Sequence, residues 1–393
     1  MSVQAEVVNS EWRIANSEKT SRPAHADSRA HKVGAATSGV EDLLRAASAC
    51  GASDLVLVEG AVPTVFVGGC WKPLENGRAA LDAWGDALLG MLSPTQRTVF
   101  DDQKDIDFAI ELPDAGRFRV NLHSQRGTLA AAFRAIPAKV PDFNTLNLPP
   151  VVLSFADVSS GLVLVTGGTG QGKSTTVAAL IEHINQTRAA HIITIEDPIE
   201  FNFRNGKSVI EQRQIGEDSP SFASALRHVL RQRPDVIVIG EMRDLETIST
   251  ALSAAETGHL VLATLHTANA TQTLTRIIDV FPPQQQAQVR AQLAASLRGV
   301  VCQSLCRDAL GEGLSPATEV LVSTTAVRRA LRENEPHLIY AMIETGRRQG
   351  MHTLEQSLAS LVRDGRIDSE TALAAAPEAG RLATLIGATI GDQ

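Results

Sequence analysis

The chain has 393 residues, 44% of them hydrophobic and 20% charged, with a formal net charge of −8. That length accommodates two or three domains with their own cores, and the composition excludes a disordered or disulfide-dense chain. The acidic balance argues against a broad nucleic-acid-binding face, so no nucleic-acid partner is expected.

Residues 1–38 carry no hydrophobic periodicity and read as a mobile extension. From Glu41, "EDLLRAASACGASDLVLVEGAVPTVFVGGCWKPL" reads as a helix, a glycine-containing turn and two short strands around the turn Glu59–Pro63. Phe118, Val120 and Leu122 alternate with Arg117, Arg119, Asn121 and His123, the period-two pattern of a half-buried strand. "LAAAFRAI" is its expected neighbour across the "SQRGT" turn. A small α+β domain over 39–140 is expected, closed by a Pro-punctuated linker over 141–151.

Over 152–393 strands and helices alternate. "GLVLVTG", "HIITIED", "DVIVIGE" and "HLVLATLH" read as strands, and Val177, Leu180, Ile181 and Ile184 mark one helix face. The pattern predicts an α/β fold with a largely parallel sheet and helices on both sides. "FPPQQQAQVRAQLAASLRGVV" predicts a helix with Val289, Leu293 and Leu297 on one face, and the remainder reads as short helices joined by an Asp-Gly turn. No apolar run approaches the ~20 residues that span a bilayer, and the four cysteines form no CxxC pair, so a reducing cytoplasm is the expected location.

Gly167, Gly172, Lys173 and Ser174 satisfy G-x-x-x-x-G-K-[ST] between a predicted strand and a predicted helix. In such a loop, Gly167, Gly168, Thr169, Gly170, Gln171, Gly172, Lys173, Ser174 and Thr175 form the nucleotide cradle. Backbone N–H groups and the helix N-terminus attract phosphate, Lys173 reaches the β- and γ-phosphates, and Ser174 holds Mg²⁺.

Hydrolysis also needs an acidic metal partner and a group that positions water. "PDVIVIGEMRD" delivers Glu241 to a strand end, with Gly240 where an Asp is usual. "TIEDPIEF" supplies Glu196, Asp197 and Glu200, any of which could act as general base; a solvated acidic turn is the plainer alternative. His259 and His266 bracket a strand seven residues apart and so point to opposite faces. His266, at the C-terminal end, is the candidate γ-phosphate contact.

"TGGTGQGKSTT", "TIEDPIEF", "IGEMRDLETISTALSAAETGHLVLATLHT" and "RIIDVFPPQQQAQVRAQLAASLRGVVCQSL" together resemble the Walker A, Asp box, Walker B plus His box, and following segment of the secretion-ATPase superfamily that powers type II secretion and type IV pili. The likeness is to the PilT family of pilus retraction motors. It implies a PAS-like N-terminal domain followed by a RecA-like P-loop ATPase domain with C-terminal helices, and ATP and Mg²⁺ as cofactors. It implies Glu200 as catalytic base, Glu241 as organiser of Mg²⁺ and water, and His266 as reader of the γ-phosphate.

The resemblance further implies a homohexamer docked on an inner-membrane pilus platform protein, with Arg119 and Arg134 reaching a neighbour's site. Three departures stand beside it. Val56 occupies a position where the family often has His, and "AVRRALRE", Ala326 to Glu333, stands in place of the family's "AIRNLI". The four-cysteine zinc insert of assembly-type relatives is missing: Cys302 and Cys306 stand alone at helical i, i+4 spacing, so no zinc is expected and the retraction branch is preferred. An ATPase of conjugative transfer or secretion, or a nucleotide-binding regulatory subunit, is the alternative.

Overall fold

The computed structural model of the chain describes residues 38–68, 70–74, 84–136, 139–311 and 313–387, so the extension expected over 1–38 lies outside them apart from its last residue. The N-terminal part holds α1 (Ser38–Ala49), β1 (Asp54–Val58), β2 (Thr64–Val67), β3 (Cys70–Pro73), α2 (Trp84–Gly90), α3 (Pro94–Gln103), β4 (Asp105–Leu112), β5 (Gly116–Gln125) and β6 (Thr128–Ile136). Its six strands pair antiparallel in the order β3-β2-β1-β6-β5-β4.

The alternation on β5 is realised: Phe118, Val120 and Leu122 are buried with Leu44, Leu55 and Ile110. Their neighbours on the other face include Arg119, whose register partner on β6 is Arg134. Like charges directly opposite repel, and each arginine has an aspartate nearby to offset this. Arg134 Nε lies 2.9 Å from Asp54 Oδ1, and Arg119 Nε 3.7 Å from Asp107 Oδ1.

The second part continues with α4 (Pro150–Ser154), β7 (Gly161–Thr166), α5 (Lys173–Thr187), β8 (His191–Glu196), β9 (Val209–Gln214), α6 (Phe222–Val229), β10 (Val236–Ile239), α7 (Leu245–Glu256), β11 (Leu260–Leu265), α8 (Ala270–Asp279) and α9 (Pro283–Ser296). It ends with β12 (Leu297–Arg307), β13 (Leu314–Val322), α10 (Thr325–Arg332), α11 (His337–Thr345), α12 (Leu354–Arg363), α13 (Ser369–Ala375) and α14 (Ala379–Ile386). The seven-stranded sheet has the order β13-β12-β7-β11-β10-β8-β9, parallel throughout except for the β12–β13 pair. Every residue of β7, β10 and β11 is buried, because helices cover both faces. Leu164 and Ile239 pack toward α7 and α9, while Val163 and Val165 pack toward α4 and α5. The fold is the expected α/β one: an N-terminal antiparallel sheet, then a mixed, mostly parallel sheet with C-terminal helices.

One expected element is corrected. The helix predicted to run through Val301 stops at Ser296, and Leu297 turns extended with ψ 133°. From there the backbone joins β7 in a parallel ladder, with a register shift between Leu297 and Gly299. Pairing with a buried central strand satisfies more backbone groups than another helical turn at the sheet's edge would. Cys302 and Cys306 therefore sit on a strand, not a helix, roughly 13 Å apart at a rise of about 3.3 Å per residue, too far to share one ion. β13, β9, β4 and α6 are further elements that the sequence pattern does not separate. Among the described residues no helix is long and apolar enough to cross a membrane.

Candidate nucleotide site

The parallel strands bring the C-terminal ends of β7, β8, β10 and β11 to one rim, and the expected site residues collect there. Gly172 closes the loop after β7 as the N-cap of α5, with φ +78°. A Cβ there would lie 2.7 Å from the movable end of the Gln303 side chain, so it is the left-handed backbone that requires glycine. Lys173 is buried, and its Nζ donates to the Gly167 and Gly168 carbonyls at 2.9 and 2.8 Å. Burial lowers the Lys173 pKa, while the carboxylates of Glu241 and Glu200 pull it back up.

Glu241 follows β10, and its backbone is pinned on either side. The Gly240 N–H donates to Ile195 O at 2.8 Å and the Met242 N–H to Thr264 O at 3.1 Å. A Cβ at Gly240 would lie 3.2 Å from Ile195 O, a tight fit against β8. The Glu241 carboxyl takes two contacts of 2.6 Å from Arg243 and lies 3.3 Å from His266 Nε2. Burial pushes its pKa up, but the Arg243 hydrogen bond and the nearby His266 outweigh this and hold it below the ordinary value.

His266 Nδ1 lies 3.5 Å from Lys173 Nζ, so His266 bridges Lys173 and Glu241. His259 is at the opposite end of β11, with Nδ1 2.9 Å from Ala254 O, a local structural bond away from the rim. The three acids separate as well. Glu196 is engaged by Thr194 Oγ1 at 2.6 Å, Gln212 Nε2 at 3.1 Å and the Glu200 N–H at 3.4 Å, and burial raises its pKa. Glu200 is exposed on the wall of the cavity, close enough to act on Lys173.

That cavity, about 750 Å³, is lined by the loop residues Thr169 to Thr175, by Asp197, Glu200, Glu241 and His266, and by Arg119 and Arg134 of the N-terminal sheet. Gly167 and Gly168 do not line it; they hold Lys173 instead. Both arginines thus face the nucleotide loop of their own chain. Arg117 of β5 adds a tie to the loop between β8 and β9 by donating to Asn202 Oδ1 at 3.0 Å.

Residues 149–349 match the family model described as type II/IV secretion system protein. The type IV pilus retraction ATPase PilT of Pseudomonas aeruginosa is 42% identical over 338 residues, covering 85% of this chain and 96% of that one. The chain belongs to the type II/IV secretion system protein family. Within that family, a crystal structure of the pilus retraction motor PilT with bound ADP is 44% identical, with a TM-score of 0.80 over 86% of this chain and 97% of that one. The ATPase DotB of Legionella pneumophila is 29% identical, with a TM-score of 0.73 over 86% and 94%.

Two residues of this family member are not marked out by the sequence pattern. Gln303 of β12 accepts the Thr176 hydroxyl, yet lies 127 residues away with no local signal. Arg243 is visible in "GEMRD", two positions from Glu241, but nothing in the sequence says that it turns back onto that carboxylate.

Proposed function

We propose that the chain is a cytoplasmic, homohexameric ATPase motor that drives type IV pilus retraction against an inner-membrane platform protein, with twitching-type motility as the result. The observation that carries it is the Lys173–His266–Glu241 chain at the mouth of a P-loop cavity large enough for a nucleotide. The higher identity to PilT than to DotB favours retraction over the tasks of other motors in the family. Residues 39–140 and 152–393 act as two domains joined by 141–151, so closing the cavity between their sheets couples nucleotide to motion.

ATP binds with its phosphates against the loop N–H groups and Lys173, while Arg119 and Arg134 approach from the facing sheet. Ser174, in the first turn of α5, and the ionised Glu241 offer the hard oxygen donors that suit Mg²⁺, which needs few protein ligands beside phosphate and water. When bound, the ion neutralises charge on the β- and γ-phosphates. Glu200, exposed to the cavity, accepts the proton of the attacking water, and His266 donates to the γ-phosphate. Glu196 serves a different role, because its oxygens are already engaged by β8, β9 and the Glu200 backbone.

The test is made in cells and in solution. The purified chain hydrolyses ATP and Lys173→Ala does not; cells lacking the gene extend pili but fail to retract them until wild type, not Lys173→Ala, is restored. Normal retraction without the gene, alongside a lost secretion or conjugation phenotype, would transfer the motor to another system.

A further inference from the structure

Outside the cavity, a second set of buried polar side chains lies where β13, α8 and α12 meet. Glu319 of β13 is 3% exposed, and its Oε1 accepts the N–H of Ala270, the first residue of α8, at 2.7 Å. Its register partner on β12 is Cys302, also buried. Thr166 of β7, the register partner of Cys302 on its other side, and Thr273 of α8 are fully buried as well. From α12, Glu355 is buried and places its charge near Glu319, while accepting the Tyr340 hydroxyl of α11 at 3.2 Å. His352 Nε2 is 2.9 Å from Thr318 Oγ1, and Arg381 lies over the Tyr340 ring.

Ala270 is separated from His266 by the loop Thr267–Asn269. That loop is short and held by its neighbours: Thr267 Oγ1 lies 2.7 Å from Thr273 Oγ1, and Asn269 caps α8 through the Gln272 N–H at 2.8 Å. The loop thus links the start of α8, held by Glu319, directly to His266.

We propose that Glu319 is a positioning residue: by holding the first N–H of α8 it sets the loop that carries His266, and it holds more tightly as a carboxylate than as an acid. The proposal rests on the reading of His266 as a γ-phosphate contact. A charge-assisted hydrogen bond is about twice as strong as a neutral one, and an anion is favoured at a helix N-terminus. Burial, then the Glu355 charge, act against the Ala270 N–H and the Cys302 thiol and push the Glu319 pKa to about 7. Loss or gain of that proton thus falls near neutral pH. Glu319 does not line the cavity and touches no reacting atom.

The experiment is ATP turnover by the full chain at saturating nucleotide from pH 6 to 8.5, in wild type, Glu319→Gln, Glu319→Asp and His266→Ala, with ADP affinity measured alongside. Wild-type turnover should rise roughly 3- to 30-fold through pH about 7, the range expected when one coupled residue adjusts a distant site. Glu319→Gln should stay at the low-pH rate across the range, with ADP affinity unchanged, and Glu319→Asp should restore a slope with a displaced midpoint. A wild-type slope in Glu319→Gln would assign the titration to another group and overturn the proposal. An equal loss of ADP affinity and turnover would overturn it too, as a structural role. Should Glu319→Gln fail to fold, Glu319→Asp decides alone: an undisplaced midpoint refutes. Normal turnover in His266→Ala would instead defeat the underlying reading of the site.

Discussion

The hydroxyl of Thr176 donates to Gln303 Oε1 at 2.7 Å, tying the first turn of α5 to β12. The same strand receives the loop a second time, because the Leu305 N–H donates to Gln171 Oε1. The P-loop is therefore shaped against β12. Gln303→Ala leaves a buried Thr176 hydroxyl unpaired and should destabilise the fold by about 1–3 kcal/mol in denaturant unfolding. It should also weaken ADP binding, since the loop loses the surface that fixes it. Unchanged ADP affinity in a destabilised variant would restrict Gln303 to packing.

Glu241→Gln separates binding from chemistry. The amide keeps the shape and some of the hydrogen bonding to Arg243, but loses the charge that His266 and Arg243 hold in place. Nucleotide binding should survive, while hydrolysis falls by ~100-fold or more if the carboxylate organises the attacking water. A parallel loss of both would mean that the residue only supports the rim.

Much of this rim is legible in the amino-acid sequence. The P-loop and the ends of β8, β10 and β11 announce themselves because a buried parallel strand is a short run of β-branched residues, and its last residues fall where ligands gather. What stays hidden depends on contacts across the sheet. The start of β12 reads as more helix because Val289, Leu293 and Leu297 keep a helical period up to the point where ladder pairing with β7 takes over. Glu196 and Glu200 are indistinguishable by spacing; only the side chains of Thr194 and Gln212, from two strands, show which carboxylate is already engaged.

Glu196 and Glu241 should give opposite slopes of stability against pH. The Glu196 pKa is raised in the fold, so its ionised form costs stability: the cost is absent below the ordinary glutamate value, about 4.3, and grows as pH rises above it. Glu196→Gln should therefore gain on wild type between pH 4 and 7. The Glu241 pKa is lowered, so its contribution is present above the ordinary value and is lost as pH falls through the folded one. Glu241→Gln should trail wild type by a steady margin above the ordinary glutamate value, and the margin should shrink as pH falls below about 4.3. Denaturant unfolding at several pH values reads both, and parallel slopes would contradict the two environments described.

Arg119 and Arg134 pose the sharpest question, because the resemblance implies that they serve a neighbouring subunit while the structure sets both on the cavity of their own chain. Among the described residues their side chains pair with the partly exposed Asp107 and Asp54, contacts of small worth in water. Arg134→Ala should accordingly leave the melting temperature close to wild type. Its effect should be on turnover: an arginine set against a transferring phosphoryl group contributes on the order of 10³-fold or more to the rate. Mixing separates the two routes. If the arginine acts within its own chain, rings assembled from Arg134→Ala and Lys173→Ala subunits contain no competent site, since each chain lacks one half. No ATPase activity should return, even when labelled protein confirms subunit exchange. Recovered activity in such rings would show that the arginine crosses the subunit boundary, and a fully active Arg134→Ala protein would remove it from the reaction altogether.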